Sequence, residues 1–167
     1  MFCQTIAGRT PHLKQRNVSD PVQTGLIYGA VGGVLTFLAN LTLFLPYAAG
    51  WSADLGLVTF GLAVFLFILA GRRAGGDLPA APFAGAGAGM VAGVVYGLLT
   101  GSLSTYLGAW SPYAAVVATL APQVPTFLFS PGNFAVQTAS LAVVAGFLGG
   151  AGGYLGSLTV GEQRLKK

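Results

Sequence analysis

Four polar residues, Asn40, Tyr96, Thr100 and Ser104, fall inside long apolar stretches and hold most of the chemistry this sequence can offer. A polar group surrounded by hydrocarbon is expensive, so such positions are the first candidates for function. The Asn40 carboxamide can bond a ligand, an ion or a neighbouring helix. An interhelical hydrogen bond is the expected use, worth roughly 0.6 kcal/mol. Thr100 and Ser104 can satisfy themselves on the preceding helical turn, which makes a structural role the plainer reading. The Tyr96 phenol, near the middle of its stretch, needs a partner for its hydroxyl. Tyr154 reads as an interfacial anchor.

Harder chemistry has little to work with. His12 and Cys3 each stand alone, and the acidic residues Asp20, Asp54, Asp77 and Glu162 all flank the apolar stretches. General acid–base or nucleophilic catalysis needs groups converging within hydrogen-bond reach, and no such set is visible. Arg72, Arg73 and Asp77 alone would have to serve any chemistry on lipid at the membrane surface. The glycine-rich segments lack the lysine and the strand-to-helix setting of a phosphate loop. No enzyme activity, no metal and no cofactor are expected. With Cys3 the only cysteine, an intrachain disulfide is excluded.

The elements that hold these residues are membrane spans. From Leu78 to Gly161 the chain contains no Asp, Glu, Lys, Arg or His, whereas a soluble domain is about a quarter charged. Overall 54% of residues are apolar and 7% charged, so the fold class expected is an all-α integral membrane protein. Four stretches are long enough to cross, at about 22–47, 55–71, 82–108 and 138–160. Residues 1–20 and 162–167 are basic tails on either side of a membrane domain spanning 21–161. All 8 basic residues fall on one side of a four-span arrangement. The positive-inside rule then puts both termini in the cytoplasm, with the protein in the plasma or inner membrane. Basic residues that flank spans suit lipid headgroups, so no nucleic-acid partner is expected.

The apolar segment from Trp110 to Gln137 competes for a fifth span. Pro122, Pro125 and Pro131 would interrupt it, and a fifth crossing would carry Arg164, Lys166 and Lys167 outside. It reads as a re-entrant or interfacial segment with a short helix at Pro112 to Leu120, or else as a surface loop. Trp51 and Trp110, with Tyr47, Tyr106 and Tyr113, would form an aromatic belt at the outer surface.

Glycine recurs at every fourth position in the third span, at Gly85, Gly89, Gly93, Gly97 and Gly101. Gly25, Gly29 and Gly33 repeat the device in the first span, and Gly149 and Gly153 in the fourth, with Ala145, Ser157 and Gly161. Small residues four apart let helices approach closely, so these faces predict glycine-zipper packing against protein. The second span, with Phe60, Phe65 and Phe67, is expected to be the most lipid-exposed. The pattern Gly25-x-x-Tyr28-Gly29-x-x-x-Gly33-x-Leu35 recurs as Gly93-x-x-Tyr96-Gly97-x-x-x-Gly101-x-Leu103, which suggests a 2+2 parallel repeat. The expected function is that of a non-catalytic subunit, self-associating or accessory to a membrane complex. Its partners would be the lipid bilayer and other transmembrane helices. The competing expectation is a small transporter or channel subunit that conducts a neutral or small solute as an oligomer.

Overall fold

A computed structural model describes residues 21–41, 52–75 and 81–165. Within them the chain is helical, without strands: α1 (Pro21–Asn40), α2 (Ser52–Gly75), α3 (Ala81–Leu107), α4 (Pro112–Leu120), a 3-10 turn (Thr126–Phe129) and α5 (Phe134–Leu165). Three helices contain segments long and apolar enough to cross a membrane: Val22–Asn40, Ala81–Leu107 and Phe134–Thr159. The protein is therefore an all-helical, multi-pass membrane protein. The tails at 1–20 and 166–167, the far end of the first expected span, Tyr47 and Trp51 lie outside the described residues.

Local chemistry sets the helix ends. Pro21 opens α1, where a missing N–H costs nothing. At the end of α3, Gly108 adopts φ 62° and donates to the Thr105 carbonyl at 3.3 Å, while Ala109 donates to the Ser104 carbonyl at 3.0 Å. Those two bonds are the Schellman closure, which needs a residue free of Cβ strain at the left-handed position. Ser111 then caps α4, its hydroxyl accepting from the Tyr113 N–H at 3.2 Å, with Pro112 in the first turn. Pro122 disfavours helix at Ala121, so α4 stops at Leu120. The expected short helix at 112–120 is present. The last long helix starts at Phe134, a turn earlier than the 138 read from sequence, because Gly132 (φ 89°) completes the turn that launches it.

The long helices alternate in direction. Gly29 and Gly33 of α1 sit against Ala88 and Ala92 of α3, both pairs rising together, so these helices are parallel. Gly85, Gly89 and Gly93 of α3 meet Gly149, Ala145 and Leu141 of α5 in descending order, so that pair is antiparallel. Helices α2 and α3 each pack on every other long helix, while α1 packs on α2 and α3 alone. The centre is filled by Ala63, Phe67, Ala92, Tyr96, Leu141 and Ala145, with Phe37, Tyr113 and Leu148 packed around them.

Two expectations are corrected here. The second span is not the lipid-exposed one: Ala63, Phe67, Ala70 and Ala74 form a buried stripe along α2, and a Cβ on Gly71 would run into Gly149 O. Alanine permits close approach much as glycine does, so glycine alone undercounts the packing face. The peripheral helix is α1, which leaves Leu26, Ile27, Val31, Leu35 and Leu38 exposed. The recurring motif also meets different surroundings in its two copies. Gly29 and Gly33 face α3, whereas Gly97 and Gly101 face α5; Tyr28 is 40% exposed and Tyr96 only 4%. Matched positions of two symmetry-related hairpins would see matched neighbours, and these do not.

Candidate functional site

The buried polar side chains gather at one end of the bundle. Thr36 and Asn40 close α1, Thr100 and Ser104 lie in the last two turns of α3, and Gln137 is in the first turn of α5. Helix register puts them at a common depth. Gly33 pairs with Ala92 and Val95, which carries Asn40 to the level of Thr100, and Gly97 lies against Thr138, next to Gln137. All four residues singled out from sequence are buried and belong to this layer. It lies under α4 and the 3-10 turn, where the Tyr113 and Phe129 rings meet edge-on, centroids 5.4 Å apart. Burial there pushes the Tyr113 phenol above its usual range by penalising the charged form.

The layer divides by how its groups are satisfied. The Thr36 hydroxyl donates to the Gly32 carbonyl at 2.8 Å and the Asn40 Nδ2 to the Thr36 carbonyl at 2.9 Å. The amide expected to reach across to another helix therefore turns back onto its own. The Asn40 carboxamide thus gives the Thr36 carbonyl a donor from its own helix, one turn back. Gln137 does cross. Its Nε2 donates to the Phe129 carbonyl at 3.2 Å and the Ser130 carbonyl at 3.1 Å, tying the 3-10 turn to α5. Ser104 Oγ, Gln137 Oε1 and Thr138 Oγ1 are buried without a hydrogen-bond partner on the protein, and Thr100 Oγ1, which meets no partner in good hydrogen-bond geometry, faces the Tyr96 hydroxyl. Each such group costs roughly 1–3 kcal/mol if nothing satisfies it.

Gln137 is the buried polar residue of this layer that sequence reasoning missed. It stood at the edge of an apolar loop, and only a helix begun at Phe134 puts it inside the bundle. The Gly132-Asn133 pair was the available signal, since a glycine followed by asparagine ends a turn and can open a helix. Tyr96 stacks obliquely against Phe67, centroids 6.4 Å apart, at the floor of the layer.

The other half of the bundle has no buried polar side chains among the described residues and is built from glycine and alanine. A Cβ on Gly85 would meet Gly149 O, on Gly89 Ala145 O, on Gly152 Ile68 O and on Gly153 Ala81 O. A Cβ on Gly25 would touch Ala84 O only at an ordinary 3.7 Å, so α1 packs less tightly there. Two apolar grooves flank α3 on the outer surface. One, about 550 Å³, runs between α3 and α5 along Pro82, Ala86, Met90, Gly146 and Gly150. The second, about 360 Å³, runs between α1 and α3 along Val22, Gly25, Ala84 and Gly87. Among the described residues no group of three or more His, Cys, Asp or Glu could hold a metal.

The fold and this layer define the class: a helical membrane protein with a packed apolar centre and a buried, uncharged polar tier at one end. Compared with family models, curated proteins and solved structures, the chain matches none.

Proposed function

We propose that the protein is a non-catalytic, four-span membrane subunit that works by associating with other transmembrane helices, as an accessory chain or with copies of itself. In this reading α2 is the fourth span. It runs alongside α5, and Arg72 and Arg73 in its last turn meet the cytoplasmic headgroups. Both termini are then cytoplasmic, and α4 lies at the outer surface. Cysteine labelling in intact cells tests this arrangement. Sites at Thr10 and Gln163 should be protected and a site at Ser130 reactive; a reactive Gln163 site would overturn it.

The observation that carries the functional reading is the filled centre. Ala63, Phe67, Ala92, Tyr96, Leu141 and Ala145 close the axis of the bundle, and no Asp, Glu, Lys, Arg or His side chain is buried among the described residues. Movement of a charged solute through one chain would need groups to replace its hydration. The glycine faces offer little free surface for association. Most of the α3 stripe is consumed by α5, and among the described helical glycines Gly61 and Gly87 have open space beside them. The surface that stays available is the exposed face of α1 and the two grooves beside α3. A photo-crosslinking residue at Phe83, which is 82% exposed between the grooves, should capture a membrane chain of defined mass in the native membrane. One at Phe65 on α2 should capture lipid alone.

The polar tier favours a second reading, passage of water or a small neutral solute through an oligomer. Liposomes holding the purified protein separate the two. Flux no greater than in protein-free liposomes supports the subunit reading, and flux abolished by Asn40→Leu or Tyr96→Phe supports conduction.

A further inference from the structure

The unpaired oxygens of the polar tier differ from every other hydroxyl whose hydrogen bond has been described. Thr36, Thr105, Ser157 and Thr159 each donate to a carbonyl three or four residues back, which is how a hydroxyl in an apolar helix normally settles itself. Thr100, Ser104 and Thr138 could do the same and do not. Gln137 spends both described bonds of its Nε2 on the 3-10 turn and leaves its Oε1, an acceptor only, without a donor. Three of these four residues are fully buried, and with Gly97 against Thr138 and Gly101 against Phe134 helix register brings all four to one depth of the bundle.

We infer that Thr100, Ser104, Gln137 and Thr138 together bind internal water, forming a hydrated chamber beneath α4 and the 3-10 turn. The identity of the ligand follows from what each group needs. Gln137 Oε1 requires a donor, which excludes an anion. A cation would find only neutral oxygens and would sit beside the N-terminus of α5, the positive end of that helix. Water donates to the amide and exchanges either role with the hydroxyls. Four oxygens supply the two to four polar partners that a buried water requires. Toward the middle of the bundle the polar layer gives way to the Phe67 and Tyr96 rings and then to the Leu141–Ala145 packing. The inference does not depend on the subunit reading and would stand beside either function.

Water-edited solid-state NMR of the full chain in liposomes tests it directly, with Thr36, Ala92 and Ala145 as internal dry references. Polarisation from water should reach the Thr100, Ser104 and Thr138 side chains and the Gln137 carboxamide well before it reaches those references. In a Thr100→Val/Ser104→Ala variant, which removes two of the oxygens without adding bulk, the rapid transfer to Gln137 should be lost. Build-up at Thr100 and Ser104 as slow as at Ala92 in the wild type would overturn the proposal. So would rapid transfer to Gln137 that persists unchanged in the double variant, since the two hydroxyls would then hold none of the water.

Discussion

Helices α3 and α5 meet twice, and in two different ways. From Gly85 to Gly93 the contact is backbone on backbone: the carbonyls of Gly149, Ala145 and Leu141 occupy the space where a Cβ would stand. From Gly97 to Gly101, one turn further along the same stripe, the neighbours change. A Cβ on Gly97 would come within 2.8 Å of Thr138 Cα and 3.1 Å of its Oγ1, and one on Gly101 within 2.8 Å of Phe134 Cδ1. The spacing of α3 is identical in both regions; the partner helix differs. The backbones stay in contact as far as Gly97, where the Thr138 side chain joins in, and at Gly101 the Phe134 ring alone fills the gap. Close approach belongs to a pair of faces, and the polar tier occurs where only one of them is small.

The sharpest way to break this comparison is to fill the backbone contact. Gly89→Leu should reach or exceed the ~3 kcal/mol upper end of overpacking costs, because neither backbone can turn aside. Loss of the folded fraction in a detergent thermal melt is the measurement, and a melt like that of the wild type would contradict the contact. Next in size is Gln137→Leu, which strips the donor from the Phe129 and Ser130 carbonyls. A loss of about 1–3 kcal/mol is expected, together with faster proteolysis across 121–133. Proteolysis that is unchanged would show the 3-10 turn to be held by other contacts.

Gly101→Ala sharpens the contrast from the other side. Its obstacle is the Phe134 ring, which can rotate, so about 1 kcal/mol is expected, clearly less than Gly89→Ala in the same assay. Equal costs at the two positions would erase the distinction between the regions. Asn40→Leu should cost less than the roughly 0.6 kcal/mol of an interhelical bond, since its described bond lies within α1 and joins no two helices. Smallest of all, Gly61→Leu should shift stability by less than about 0.5 kcal/mol, because nothing lies within 4 Å of the added carbon.

The elements were legible because their signals are local. Charge exclusion over 78–161 marks membrane helices through a desolvation cost paid residue by residue. Ser111, Pro112 and Pro122 bracket α4 by capping and by steric conflict with the preceding residue, both settled within a few positions. The burial of Asn40, Tyr96, Thr100 and Ser104 could be anticipated on the same ground, since a polar group in an apolar helix turns from lipid wherever protein is at hand. None of those inferences required knowing which helix is whose neighbour.

Neighbours were decided by tertiary structure alone. A stripe of small residues states that something can approach, without naming it, so the sequence could not say that α3 spends its stripe on α5 and α1 spends its own on α3. For the same reason the phenylalanines of α2 pointed to lipid, while its packing face is made by Ala63, Ala70, Ala74 and by Gly71 against Gly149. Asn40 could have bonded across or back, and in the folded chain it bonds back to the Thr36 carbonyl of its own helix. Gln137 became part of the buried tier only when the turn at Gly132 set where α5 begins. Helix formation and membrane insertion are summed along the chain and are visible in it; pairing depends on two surfaces at once, and half of that information lies elsewhere in the sequence.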